Sequence, residues 1–244
     1  MSVHAEKLHD DRVWHVVERF ARVSATRGQK LTFFVHPFWS IVAGYDISKR
    51  IQRLACLGHE IGQHTHYYDV ATARTPGRKA GDLSPENVLR RLEEDHTQLL
   101  RSGIRPKGFV SGAWVVPDAL HPWLASRGFA YDCTYRTYAM QSRNGPAMPG
   151  GTTGPFLLDG GVLELPTTAS LRAAAVGLVR ARPPVAHIGD LEYELVYLHD
   201  DDLVDRRKRA ALGAVVIGVR WRRQIVTSGE LAERAKLLVN RSAQ

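Results

Sequence analysis

The sequence predicts an α/β fold assembled from successive strand and helix units, and three observations carry that prediction. Amphipathic segments with helical spacing alternate with short apolar runs along the chain, the pattern of parallel βα units. Glycines close the helical segments, at Gly28, Gly58 and Gly103. The length, 244 residues with 44% hydrophobic content, fits one barrel-sized α/β domain whose core needs no staples. Residues 1–244 are read as a single domain without internal repeats.

Taken in order, residues 1–9 are too polar for a convincing buried strand. Val13, Trp14, Val16, Val17, Phe20 and Val23 then recur at near-helical spacing, with Asp10 or Asp11 as N-cap and Gly28 as the stop. A strand follows at about residues 30–36, a helix at about 47–57, and a strand carrying histidines after Gly58. Residues 67–82 lack apolar periodicity and read as a long loop. Ser84-Pro85-Glu86 opens a helix running to about Arg101, with Ser84 as cap and Pro85 at its first position. Strand 108–111, helix 117–126 and strand 129–132 continue the alternation, and residues 136–161, rich in Gly and Pro, read as loop or weak hairpin. Strands at 162–166 and 194–199, a long helix over about 203–222 and a short strand near Ile225 come next. Thr227 with Glu230 three residues on is the signature of a capping box for a last helix.

Bulk properties exclude several classes. No stretch approaches the 18 or so apolar residues of a membrane span, and the polar start has no signal-peptide core, so the expected location is cytoplasmic without membrane association. Two cysteines, Cys56 and Cys133, do not suggest a disulfide framework. The net charge of +8 favours an anionic partner, but Arg206-Arg207-Lys208-Arg209 and Arg220-Trp221-Arg222-Arg223 flank one apolar segment. That arrangement reads as a solvated helix face in preference to a nucleic-acid patch, so nucleic acid is not the expected partner.

The most informative stretch is Gly58-His59-Glu60-Ile61-Gly62-Gln63-His64-Thr65-His66-Tyr67-Tyr68, three histidines and a glutamate where a strand runs into a loop. Imidazole is the commonest protein ligand for zinc, although buried histidines also serve as hydrogen-bonded core residues. On a regular strand, residues two apart share a face, so His64 and His66 can point together toward one metal. His36, ending the preceding strand, is a reserve ligand. Late in the chain, Glu194-Leu195-Val196-Tyr197-Leu198-His199-Asp200 is an apolar strand that delivers His199 to its C-terminal end.

In order and spacing, "LTFFVHP", "RIQRLACLGHEIGQHTH", "RPKGFVSGAW", "GFAYDCTY", "VLELPTT" and "ELVYLHD" resemble the polysaccharide deacetylase family, the NodB-homology group or carbohydrate esterase family four. The resemblance spans roughly residues 8–200. It implies a distorted (β/α) barrel of about seven parallel strands, here with an abbreviated or irregular first strand. It also implies removal of an acetyl group from a sugar with a divalent metal, most often Zn2+, at the C-terminal ends of the strands.

Carried over residue by residue, the resemblance implies Asp10 as general base, Asp11, His64 and His66 as metal ligands, and His199 as general acid. Tyr68, Trp114 and Asp200 are the residues expected to line the substrate groove, Asp200 also being able to orient or tune His199. Three departures are visible in the sequence. Leu8-His9 precedes Asp10-Asp11 and Arg12 follows them, so the acid pair can equally serve as the cap of the first helix. The family's second ligand lies four residues after the first, a position held here by Tyr68. Val110 stands where relatives carry an arginine that pairs with the base.

Two functions are compatible with this pattern. The first is a metal-dependent hydrolase that deacetylates an N-acetylated sugar or glycoside. The second is a catalytically degenerate protein of the same fold that binds carbohydrate or a partner.

Overall fold

In the computed structural model the described residues are 1–73, 81–137, 154–179, 185–188, 190–220 and 224–242. The strands are β1 (Ser2–Ala5), β2 (Thr32–Val35), β3 (Glu60–Thr65), β4 (Gly108–Ser111), β5 (Tyr131–Asp132), β6 (Phe156–Leu157), β7 (Leu163–Glu164), β8 (Ala169–Ser170), β9 (Ala186–Ile188), β10 (Leu191–Tyr193) and β11 (Val196–His199). The helices are α1 (Asp11–Thr26), α2 (Phe38–Val42), α3 (Ser48–Cys56), α4 (Val70–Ala73), α5 (Pro85–Arg101), α6 (Leu120–Ser126), α7 (Leu171–Val179), α8 (Arg206–Arg220) and α9 (Ser228–Ser242).

Nine strands form one sheet in the order β6-β7-β5-β4-β3-β2-β1-β11-β8, curled into an open half-barrel with flanking helices. All its pairings are parallel except β6 with β7. The count exceeds the expected seven because the two-residue strands β6 and β8 extend its edges. β9 and β10 form a separate antiparallel pair.

The principal correction to the sequence reading is β1. All four of its residues are buried, and it lies inside the sheet between β2 and β11. Val3 and Ala5 belong to the core packed against α1 and α3, whereas Ser2 and His4 alternate to the opposite side. Ser2 Oγ donates to Val196 O, and His4 joins the histidine cluster described below. The polar residues that argued against a buried strand are those on its functional side.

Other boundaries move less. Asp10 caps α1 by accepting from Arg12 N at 2.8 Å, and Gly28 follows with φ +69°. The cap of α9 is reciprocal, Glu230 N donating to Thr227 Oγ1 and Thr227 N to Glu230 Oε2. Ser84 precedes α5, but its hydroxyl donates to Asp82. The expected helix over 203–222 is divided into a 3-10 turn, Asp200–Leu203, and α8. Residues 224–227 form no strand. Within the expected 67–82 loop, α4 is a short helix and residues 74–80 lie outside the described set, as do residues 138–153 of the loop expected over 136–161.

The helix α9 closes one end of the half-barrel. Its Leu231, Ala232 and Ala235 pack on Phe34, Val110, Tyr131 and Leu163, while Ser228 N and Gly229 N donate to Thr32 and Glu60 at the starts of β2 and β3. Glu60 also accepts from Thr32 Oγ1 and Tyr131 OH, so its carboxylate ties three strands to that helix. His59 is buried and structural: Nδ1 accepts from Leu31 N, and Nε2 faces Ala21 O. The opposite, C-terminal ends of the strands carry His36, His64, His66 and His199.

Candidate metal centre

Four strands deliver the cluster. Glu6 follows β1, His36 follows β2, His64 lies near the end of β3 with His66 just after it, and His199 ends β11. The parallel register sets His4 beside Phe34 on one side and His199 on the other, which draws these ends together. Catalytic groups collect at this face in barrels of parallel strands.

Glu6 Oε1 lies 3.3 Å from His64 Nε2 and 3.4 Å from His66 Nε2, and the two imidazole nitrogens are 3.1 Å apart. Zinc with bonds of about 2.0–2.1 Å in a tetrahedral array separates its ligand atoms by about 3.3–3.4 Å, so this triangle has the size of a three-ligand face. His36 stands next to it, with the ligand atoms of Glu6, His36 and His66 all within 4.8 Å of one another. His199 Nε2 is 3.7 Å from Glu6 Oε1.

The surroundings fix the donor atoms. His64 Nδ1 is 2.9 Å from Val110 O, so its proton resides there and Nε2 presents a lone pair to the centre. Gly112 gives His66 its place, because a Cβ at that position would stand 2.3 Å from His66 Cγ. Behind β3, Thr65 Oγ1 donates to Asp95 Oδ2, and Gln63 Nε2 donates to Thr65 Oγ1 and Leu92 O. His36 is wholly buried, with Nε2 3.8 Å from Asp95 Oδ2.

Charge states suit a cation. Burial opposes ionisation of Glu6, but the adjoining His64 and His66 side chains outweigh it and hold the carboxyl far below the usual range. Burial first, then neighbouring imidazoles, lowers the pKa of His4 and His36. Burial likewise lowers that of His66 against the pull of Glu6. An anionic carboxylate beside imidazoles biased toward the neutral form, as at His36 and His66, is the ligand state that divalent metals require. Both nitrogens of His36, Nδ1 of His66 and Oδ1 of Asp95 are buried without a hydrogen-bond partner among the described residues. The donor set therefore fits a divalent metal of the zinc type.

The other expected site residues fall on both sides of this boundary. Tyr68 is buried against His66, ring centroids 4.7 Å apart, its hydroxyl pKa raised by burial and by Glu6. Trp114 sits 5.6 Å from His4 and 4.9 Å from Tyr197, with Arg136 stacked 4.8 Å above its ring. Ala113 and Trp114 hold φ of 53° and 61°, a strained left-handed pair that turns the indole over the cluster.

Asp10 and Asp11 are not brought to the centre. Asp10 caps α1, and Asp11 is exposed and paired with Arg50. Asp200 is buried but accepts from Lys7 N and Asp201 N instead of facing His199. It braces the segment after β1, and burial raises its pKa to about 7. The residue missed in the sequence is Glu6. The signal was His4-Ala5-Glu6, two polar residues at strand spacing.

No family model and no curated protein matches the sequence. Solved structures share its fold. A Mycobacterium smegmatis protein provisionally described as a polysaccharide deacetylase superposes with a TM-score of 0.57 at 16% identity, over 93% of this chain and 76% of that one. A carbohydrate esterase family four pseudoenzyme from Bacillus anthracis gives 0.56 at 10% identity, covering 95% of this chain and 65% of its own length. A polysaccharide deacetylase from Bacillus cereus gives 0.51 at 15% identity over 93% and 89% of the two chains. Among the described residues, no helix is long and apolar enough to cross a membrane.

Proposed function

We propose that the chain is a metal-dependent deacetylase of the polysaccharide deacetylase family, hydrolysing an acetyl group carried by a sugar or glycoside. The observation that carries this reading is the triangle of Glu6, His64 and His66 at the C-terminal rim, with His199 at its edge. Glu6 takes the ligand role expected of Asp11. A bound divalent metal would polarise the acyl oxygen and lower the pKa of water.

The protein groups supply the rest. His199 has a side chain 42% exposed, so it can reach a substrate and give its proton to the departing group. Tyr68 and Trp114 wall the cluster and restrict water, and Trp114 with Tyr197 offers an aromatic face suited to a sugar ring.

A second reading is supported by one feature. The acid pair implied by the resemblance is committed to α1, and His4, the polar residue preceding Glu6 on the same side of β1, has its basicity depressed by burial. A metal-binding protein without turnover would have this arrangement; one of the structural neighbours is a pseudoenzyme, and a mutant of it has restored enzymatic activity. Acetate release from a panel of N-acetylated sugars by zinc-supplemented protein, with His199→Gln as control, separates the two readings. Release abolished by the substitution supports the deacetylase, and metal binding without release from any sugar supports the alternative.

A further inference from the structure

A cleft of about 550 Å3 opens beside the metal centre, between α7, α8 and the end of β11. His199 and Tyr197 form its inner wall, so the same histidine that approaches Glu6 also faces this space. The volume lies within the range of small-ligand sites. Its lining is divided: Leu171, Ala175 and Val176 supply an apolar side, and Arg172, Arg207 and Lys208 supply cations.

Of those cations, Lys208 is paired with Asp202, whereas the guanidinium groups of Arg172 and Arg207 form no ion pair within 4 Å among the described residues, Arg207 feeling only the field of the nearby Asp205 carboxylate. Three cations against Asp202 leave a net of two positive charges on the lining. Arg207 and Lys208 also belong to a run, Arg206-Arg207-Lys208-Arg209, in the first turn of α8, whose start is capped by the Asp205 carboxylate accepting from Arg207 N and Lys208 N.

We propose that this cleft receives a phosphate ester on the substrate, so that the sugar whose acetyl group is removed is phosphorylated or phosphate-linked. The proposal rests on the deacetylase reading and assigns that reaction its substrate class. A dianionic phosphate matches the two net charges of the lining, and guanidinium groups suit its oxygens. His199 then stands between the acyl-bearing end of the substrate and its anionic end.

The test is calorimetric titration of zinc-loaded protein with N-acetylglucosamine 1-phosphate and with N-acetylglucosamine. The phosphorylated sugar should bind about tenfold tighter or more, and its affinity alone should fall as salt rises from about 50 to about 300 mM. Arg172→Glu/Arg207→Glu should erase the difference between the two sugars. Arg19→Glu/Arg22→Glu, an equal change of net charge on α1, should preserve it. Equal affinities in the wild type, or a preference that survives Arg172→Glu/Arg207→Glu, would overturn the proposal. Binding is read without turnover: a preference erased only by the cleft variant, in protein that releases no acetate, would uphold the phosphate subsite while refuting the deacetylase.

Discussion

His64 and His66 place their Nε2 atoms 3.1 Å apart, each within 3.4 Å of Glu6 Oε1. Two neutral imidazoles can share that distance by hydrogen bonding through one proton, but His64 keeps its proton on Nδ1 for Val110 O. The His64 lone pair, His66 Nε2 and the carboxylate then converge on one place, where a cation would satisfy all three.

The acids Asp10 and Asp11 are predicted to be dispensable for the centre. Asp10→Ala should lower stability by about 1 kcal/mol through loss of the α1 cap, while zinc content stays that of the wild type. Urea denaturation beside elemental analysis makes the comparison. A variant that folds normally but arrives without zinc would return Asp10 to the site.

Gly112 is predicted to act through His66. In Gly112→Ala the new methyl would stand 2.3 Å from His66 Cγ, and the ring must leave its position. Overpacking of this kind costs about 1–3 kcal/mol, and zinc affinity should fall by at least ~10-fold. Zinc titration of the folded variant, checked by circular dichroism, would expose the error if the affinity were unchanged.

His199→Gln should separate binding from chemistry. Zinc content should be preserved and turnover reduced by about 10²–10⁴-fold, the range for loss of a general acid. If turnover survives, another group protonates the leaving amine.

How far the sequence discloses this site varies by residue. Period-two geometry suffices to pair His64 with His66, and the apolar run before His199 suffices to put it at a strand end. The carboxylate is harder to see, because an acid pair before a helical pattern is both a family-like motif and an ordinary N-cap, and Asp10 proves to be the cap. Glu6 was obscured by the assumption that buried strands are apolar, which fails where a strand's inner side is the site itself. Val110 shows the converse: lacking the family's arginine, it contributes a backbone carbonyl that sets the tautomer of His64, an interaction with no side-chain signature.

A buried acid pair away from the histidine cluster contributes to the pH dependence of stability. Asp132 and Glu164 are neighbours in register on β5 and β7, each accepting a backbone N–H, from Thr134 and Tyr135 respectively. Burial raises the Asp132 carboxyl to about 7 and Glu164 well above its ordinary value, against the lowering effect of those hydrogen bonds. Between the ordinary value of 3.8 and about 7, the folded state holds a proton on Asp132 that the unfolded chain has released. This contribution to stability is therefore largest in acid, is lost as pH rises through that window, and is flat above it. Asp132→Asn should remove about 2–3 kcal/mol from the difference between about pH 5 and about pH 7.5. Parallel urea curves for variant and wild type at both pH values would contradict the assignment.

The most direct test of the central claim is zinc stoichiometry by elemental analysis, on protein purified without a metal-affinity tag, in wild type, Glu6→Ala and Asp11→Asn. About one zinc per chain in the wild type and in Asp11→Asn, with loss in folded Glu6→Ala, is the predicted result. Zinc retained by Glu6→Ala and lost from Asp11→Asn would contradict it.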